Sequence, residues 1–256
     1  MEHSPLLQTA IAAARAAETI IRRYYQDTSV KVDLKADQTP VTRADVESEQ
    51  AIQRIIAERF PEHGFHGEET GHRGDGHEYL WLVDPIDGTK SFVRGYPFVS
   101  TQIALLHRGK PVLGVSNAPL FDELAYAEVG RGAYLNDRRI RVSNLLDPVE
   151  ATLSLGNIKT LALDAPRWSA LGNLIPLFNR VRGYGDFYHY HLLAAGKLDV
   201  VVESDINILD VAALAVIVAE AGGRVSDLQG RPLDLDSTTI LATNGLLHDI
   251  LLRTLG

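Results

Sequence analysis

The 256-residue sequence contains no cysteine. Disulfides and thiolate metal sites are therefore excluded, and a cysteine-free chain fits the cytoplasm. Positive charge is in short supply, with 25 Lys and Arg against 33 Asp and Glu, a net charge of -8. That balance argues against nucleic acid as a partner. It does not argue against anionic ligands, because bound cations would reverse the local field. No apolar stretch approaches the roughly 20 residues that span a bilayer, so no membrane association is expected. The opening MEHSPLLQTA has no basic region followed by an apolar one, so no secretory signal is expected. Repeats and low-complexity segments are missing too. What remains is an ordinary globular composition, 45% hydrophobic, enough for one large domain or two closely packed halves.

The most informative stretch is Trp81 to Pro97, WLVDPIDGTKSFVRGYP. Trp81-Leu82-Val83 reads as the end of a buried strand. It delivers Asp84 and Asp87 into a turn forced by Pro85 and Gly88, and Thr89 and Lys90 follow at once. Two acids, a hydroxyl and tight backbone at a strand mouth suit hard divalent cations. Alone, the run also reads as a surface turn rich in Asp and Gly. Glu68 and Glu69 upstream favour the metal reading.

Around this run, Leu6 to Tyr25 and Thr42 to Phe60 carry apolar residues at helical spacing. Thr28 to Pro40 is polar and reads as a turn or extended segment. Asp45 reads either as a first-turn acid favoured by the helix dipole or as a site residue. Glu68-Glu69 lies where a short strand opens into a loop, and Gly71 to Glu78 reads as a mobile loop. The spacing of His66, His72 and His77 matches no zinc pattern. Hairpins are expected over Phe98–Asn117 and Leu124–Leu135. A join at Ser143 to Glu150 separates an α+β half, residues 1–145, from an α/β half, residues 146–256. The second half alternates strands at 151–155, 180–182, 200–203, 225–227 and 240–244 with helices at 166–178, 187–195, 209–221 and 246–255. Asp210 opens the third of these helices, as a capping acid or as a carboxylate facing the site.

Glu68-Glu69, then Asp84-Pro85-Ile86-Asp87-Gly88-Thr89, then Asp210 before an alanine-rich helix ending Glu220-Ala221-Gly222-Gly223 resembles the inositol monophosphatase superfamily. Val41-Thr42-Arg43-Ala44-Asp45 is similar to a further element of that superfamily. The resemblance covers nearly the whole chain. Haloacid dehalogenase phosphatases separate their two aspartates by one residue, whereas Pro85 and Ile86 make it two here. The resemblance implies a layered αβαβα sandwich, a homodimer, and a magnesium-dependent phosphomonoesterase holding two or three Mg2+. It assigns Glu68, Asp84, the Ile86 carbonyl, Asp87 and Asp210 as metal ligands. Thr89, supported by Asp45, would position or activate the attacking water, with Glu69 behind the ligands. Gly88 and Thr89 would offer backbone N–H groups to the phosphate. In-line attack by water is implied, with no covalent phosphoenzyme.

The substrate is then a small phosphorylated compound. Lys90-Ser91-Phe92-Val93-Arg94-Gly95, Gly185-Asp186-Phe187-Tyr188 and Ala242-Thr243-Asn244-Gly245 are most similar to the histidinol-phosphatase branch, which serves histidine synthesis. Inositol-specific members usually carry Thr and Asn where Lys90 and Ser91 stand. Histidinol phosphate carries an ammonium and an imidazole, which Asp186 and Glu203 could bind through charge-assisted hydrogen bonds. Lys90 and Arg94 would aid phosphate capture or pair with surface acids, Ser91 is a further substrate-binding candidate, and Asp186 also reads as a surface acid capping a helix. Glu203, seven residues before Asp210, equally suits a ring hydroxyl, so an inositol-1-monophosphatase or a broad sugar-phosphate phosphatase stays open. Two features depart from the branch. Leu209 stands where many members carry Trp or Tyr, and Asn157 to Arg167 matches no substrate-binding motif.

Overall fold

The computed structural model describes residues 3–25, 32–34, 40–73 and 76–255. Helix α1 (Pro5–Tyr25) is capped by the Ser4 hydroxyl, which accepts from Leu7 N–H at 3.1 Å. Its buried Leu7, Ala10, Ala14, Ala17 and Ile21 recur at helical spacing and form one apolar face. Strands β1 (Val32–Leu34) and β2 (Pro40–Thr42) pair antiparallel. The remainder of the polar stretch expected from Thr28 to Pro40 lies outside the described residues. Helix α2 (Arg43–Arg59) follows, then β3 (Gly64–Gly67) and β4 (Gly71–Arg73). The loop expected from Gly71 thus begins as a strand, because residues 71–73 pair antiparallel with β3.

Strand β5 (Tyr79–Asp87), the short helix α3 (Thr89–Val93), and strands β6 (Ser100–His107), β7 (Lys110–Ala118), β8 (Glu123–Glu128), β9 (Ala133–Leu135) and β10 (Arg138–Ile140) complete the first sheet region. The sheet has eight strands in the order β10-β9-β8-β7-β6-β5-β3-β4, antiparallel except between β3 and β5.

Beyond it come β11 (Thr152–Gly156), α4 (Ile158–Leu163), α5 (Ala165–Leu174), β12 (Arg180–Arg182), α6 (Asp186–Ala194), β13 (Val200–Ser204), α7 (Ile208–Glu220), β14 (Arg224–Ser226), β15 (Thr239–Thr243) and α8 (His248–Leu255). The five strands order as β12-β11-β13-β15-β14. The helix expected at 166–178 is α5 followed by a 3-10 turn at Ile175–Leu177, and α4 ahead of it was not expected. Asp164 breaks α4 and α5 apart: it leaves helical geometry and caps α5, its Oδ1 accepting from Arg167 N–H at 3.1 Å.

Alternation along the strands sorts the core into layers. Trp81 and Val83 pack with α1 and α2, whereas Leu82 between them faces α6 and α7. Val201 and Ala242 face α6 and α7 from the second sheet, and Val200, Val202 and Leu241 face α4, α5 and α8. The sequence of layers is helix, sheet, helix, sheet, helix, an αβαβα sandwich. Helix α7 is apolar almost all round because it lies between two sheets. Its start, with the starts of α2, α3 and α6 and the ends of β5 and β13, places the residues described next.

Candidate active site

Strand β5 runs past its regular pairing. Its register against β6 shifts between Asp84 and Asp87, where Pro85 has no N–H to give the ladder. Thr101 Oγ1 donates to the Pro85 carbonyl at 2.9 Å, and Ile86 N–H donates to Asp84 Oδ1 at 2.9 Å. Gly88 follows with φ +89, and a Cβ there would lie 2.4 Å from the Phe98 carbonyl oxygen, so only glycine fits. Helix α3 then begins. The Thr89 hydroxyl is shared between the Ile86 carbonyl at 3.0 Å and Asp45 Oδ1 at 3.1 Å.

Both readings of Asp45 hold at once. Its Oδ2 accepts from Thr42 N–H at 2.7 Å and Thr42 Oγ1 at 2.6 Å, closing a capping box on α2. Its other oxygen faces Thr89. Burial raises its pKa, partly offset by the bonds from Thr42 and Thr89. Asp210 repeats the arrangement on α7, where its Oδ2 accepts from Asn207 N–H at 3.2 Å.

These groups surround a cleft of about 420 Å³, lined by Glu68, Asp84, Ile86, Asp87, Gly88, Thr89, Lys90, Ser91, Asn157, Asp186, Asp205, Ile206, Asn207 and Asp210. Six of these are acids and one is a lysine. Asp84 hydrogen-bonds with both Glu68 and Asp210. Burial, then the charges of Glu68, Asp210 and Asp87, push the Asp84 pKa well up. Burial and the charges of Asp186 and Asp210 do the same to Asp87. Asp210 is pushed up to about 7, chiefly by burial and with Glu68 and Glu203 adding to it. Carboxylates so placed are costly to ionise together without a cation. Among the described residues, no three acid or histidine side chains stand as a ready cation-holding cluster. The acids share a cleft and contact one another without closing around one point. Their donor chemistry, carboxylates plus a carbonyl and a hydroxyl, fits a hard divalent cation.

A narrow recess of about 50 Å³ adjoins the cleft, lined in part by Asp87, Asn157, Asp186, Tyr190, Glu203 and Asp210. Glu203 is fixed there. Its Oε2 accepts from Tyr190 Oη at 2.8 Å and lies 3.1 Å from His189 Nε2. A Cβ on Gly156 would fall 2.1 Å from Glu203 Oε1. Asp186 sits at the first position of α6 with φ +48. Burial, then the neighbouring Glu203, raise its pKa to about 6, eased by His189 and Lys90.

Three expected residues stand apart from the lining of the cleft and recess: Asp45, buried behind Thr89, and Arg94 and Glu69. Arg94 is exposed at the end of α3. Glu69 is held by its backbone, its N–H donating to Glu49 Oε2 at 2.8 Å. Buried Glu49, which also accepts from Thr70 N–H at 2.8 Å, anchors the turn that carries Glu68. Its signal in the sequence was its place one helical turn after Asp45. Asn157, Asp205 and Asn207 line the cleft with no local motif to announce them. His189 and Tyr190 are visible only through their contact with Glu203.

The layered fold and acid-lined cleft are those of a phosphoric monoester hydrolase. Residues 2–256 match the profile of the inositol monophosphatase family, and the chain belongs to that family. It is 38% identical over 260 residues to a histidinol-phosphatase of Mycobacterium tuberculosis, covering 100% of this chain and 99% of the relative. It is 36% identical to inositol monophosphatase 2 of Solanum lycopersicum, covering 97% of each. Among solved structures, the extragenic suppressor protein suhB of Bartonella henselae superposes with a TM-score of 0.90, at 32% identity and 98% coverage of both chains. Small phosphorylated compounds are the substrates of such an enzyme. No helix among the described residues is long and apolar enough to cross a membrane.

Proposed function

We propose that the protein hydrolyses L-histidinol phosphate to L-histidinol and phosphate, with two or three Mg2+, in histidine biosynthesis. The carrying observation is the acid pair Asp186 and Glu203 in the recess beside the cleft. Histidinol offers an ammonium and an imidazole, and a buried carboxylate, Glu203, with a half-buried one, Asp186, match both. A cationic head would also relieve the mutual repulsion that raises the Asp186 pKa. Relatives carrying the histidinol-phosphatase name support the same reading.

Glu68, Asp84, the Ile86 carbonyl, Asp87 and Asp210 would hold the cations. When bound, these supply charge neutralisation, an acidified water and stabilisation of the leaving alkoxide. A cleft with six acids and one lysine could not otherwise hold a phosphate dianion. Thr89 is the positioned hydroxyl: its hydrogen is held between Asp45 Oδ1 and the Ile86 carbonyl, which leaves its oxygen lone pairs for the attacking water. Gly88 and Thr89 N–H groups and the Lys90 ammonium meet the phosphate. Ser91 lines the same wall. The enzyme acts as a cytoplasmic homodimer.

Glu203 suits a ring hydroxyl as well, so inositol-1-phosphate is the second reading, supported by the tomato relative. Phosphate release from both compounds in Mg2+ separates the two. A higher kcat/KM on histidinol phosphate is expected. A higher value on inositol-1-phosphate would overturn the first reading.

A further inference from the structure

A chain of hydrogen bonds runs from Asp87 across β6 and β7 to Glu123 at the start of β8. Ser100 Oγ donates to Asp87 Oδ2 at 3.1 Å. Gln102 Nε2 donates to Ser100 Oγ at 2.7 Å and to Ser116 Oγ at 3.1 Å. Ser116 Oγ lies 2.8 Å from His191 Nε2, and His191 Nδ1 lies 2.8 Å from Glu123 Oε2. Ser100, Gln102, Ser116 and His191 are all buried. The chain crosses β6, β7, β8 and α6, and unites residues more than 100 positions apart.

Its polarity follows from hydrogen counting. An ionised carboxylate, the form that would hold a cation, only accepts. Ser100 has one hydrogen and gives it to Asp87, so Ser100 must accept from Gln102. The Gln102 amide therefore turns its NH2 toward both serines. Ser116, already an acceptor, has its own hydrogen for His191 Nε2. With Nε2 accepting from Ser116, the His191 Nδ1–H donates to Glu123. Every bond points outward from Gln102. An amide in the middle transfers no proton, so the chain orients groups and does not conduct.

We infer that Ser100, Gln102, Ser116 and His191 are positioning residues that fix the Asp87 carboxylate for a divalent cation. Oδ2 is committed to Ser100, which leaves Oδ1 for the cleft. His191 stands five residues after Asp186 on α6, so the helix facing the substrate head also braces Asp87. This rests on the reading of Asp87 as a metal ligand. Groups that orient a ligating side chain typically change metal affinity 10- to 100-fold when removed.

Mn2+ is the probe, titrated into metal-free protein and followed by its electron paramagnetic resonance signal. Asp87→Asn is the reference, and thermal unfolding checks each fold. Ser100→Ala and Gln102→Met are expected to bind Mn2+ about 10- to 100-fold more weakly than the parent protein. Ser116→Ala, which cuts the chain on the His191 side, is expected to weaken binding at least about threefold, below the range for the nearer links. Folded variants that all bind within about twofold of the parent, while Asp87→Asn binds weakly, overturn the positioning role alone. Parental affinity in Asp87→Asn overturns the ligand reading and the inference with it.

Discussion

Thr89 Oγ1 donates to Asp45 Oδ1 across 3.1 Å, joining residues 44 positions apart in the sequence. The contact sets the hydroxyl at the mouth of β5 with its hydrogen already committed. Removal of a positioned group of this kind costs about 10²- to 10⁴-fold in rate. Thr89→Ala should therefore lose at least about 100-fold in kcat with little change in KM, and Thr89→Ser should retain most activity. Steady-state kinetics decide it. A Thr89→Ala enzyme within fivefold of the parent, on the order of the scatter in such assays, removes Thr89 from the chemistry.

Withdrawal of divalent cations should abolish turnover and also destabilise the fold. Asp84 and Asp210 lie beside each other and Glu68 in a cleft where burial already penalises the charge of both aspartates. A ligand that binds only the folded state stabilises it, by about 2.7 kcal/mol at a concentration 100 times its Kd. Thermal unfolding in chelator and in Mg2+ should thus differ by several degrees. Asp87→Asn should narrow that gap. An unfolding temperature unchanged by Mg2+, with full activity in chelator, would contradict the metal reading.

Asp84 to Thr89 was legible only in combination, because the run alone also reads as a surface turn and Glu68 and Glu69 upstream were needed to favour a site. Asp45 and Asp210 were ambiguous for a good reason, since each caps its helix with one oxygen while Asp45 holds Thr89 with the other and Asp210 lines the cleft. Sequence spacing cannot distinguish one role from two. Asn157 and His189 were not legible, because their roles depend on partners brought close by folding alone. Asn157 and Asp205 reach the cleft through loop backbone at φ +46 and +56, which no periodicity signals. The polarity of the layers, by contrast, follows directly from alternation at Trp81, Leu82 and Val83.

Asp186→Asn should discriminate between substrates. The carboxylate lies in the recess, its pKa raised to about 6 by burial and by Glu203. The amide keeps the shape and loses the charge. A charge-assisted bond is worth about 1.5–3 kcal/mol, so kcat/KM on histidinol phosphate should fall roughly 10- to 100-fold. Inositol-1-phosphate, which has no cationic head, should lose far less. Equal losses on both compounds would remove Asp186 from substrate discrimination.

Gly156→Ala should disturb Glu203 from behind. The added Cβ would fall 2.1 Å from Glu203 Oε1, and Tyr190 and His189 hold the other oxygen in place. Either the strand or the carboxylate must shift. Overpacking of this kind costs about 1–3 kcal/mol. The variant should unfold at a lower temperature and show a raised KM for histidinol phosphate. Unchanged values of both would mean that Glu203 has room to retreat.

Acid should weaken the fold through His248. Its ring is buried, with Nε2 2.9 Å from Ser226 Oγ and Nδ1 3.1 Å from Thr243 Oγ1. Ser226 gives its hydrogen to the Asp227 carbonyl at 2.7 Å, so His248 Nε2–H donates and Nδ1 accepts from Thr243. Burial, with Arg224 nearby, lowers the pKa to about 4, although Asp249 pulls the other way. The unfolded chain takes up this proton near pH 6.5 and the folded protein only near 4. Between those values the unfolded state binds more protons, so stability falls as pH falls, by up to about 3 kcal/mol. The crowded cleft acids act in the opposite sense, because their raised pKa values favour proton uptake by the folded state. Comparison with His248→Gln in chelator cancels that contribution. Urea unfolding at pH 7 and pH 4.5 should show the parent losing more stability than the variant between the two. Parallel losses would mean that His248 does not set the acid limit.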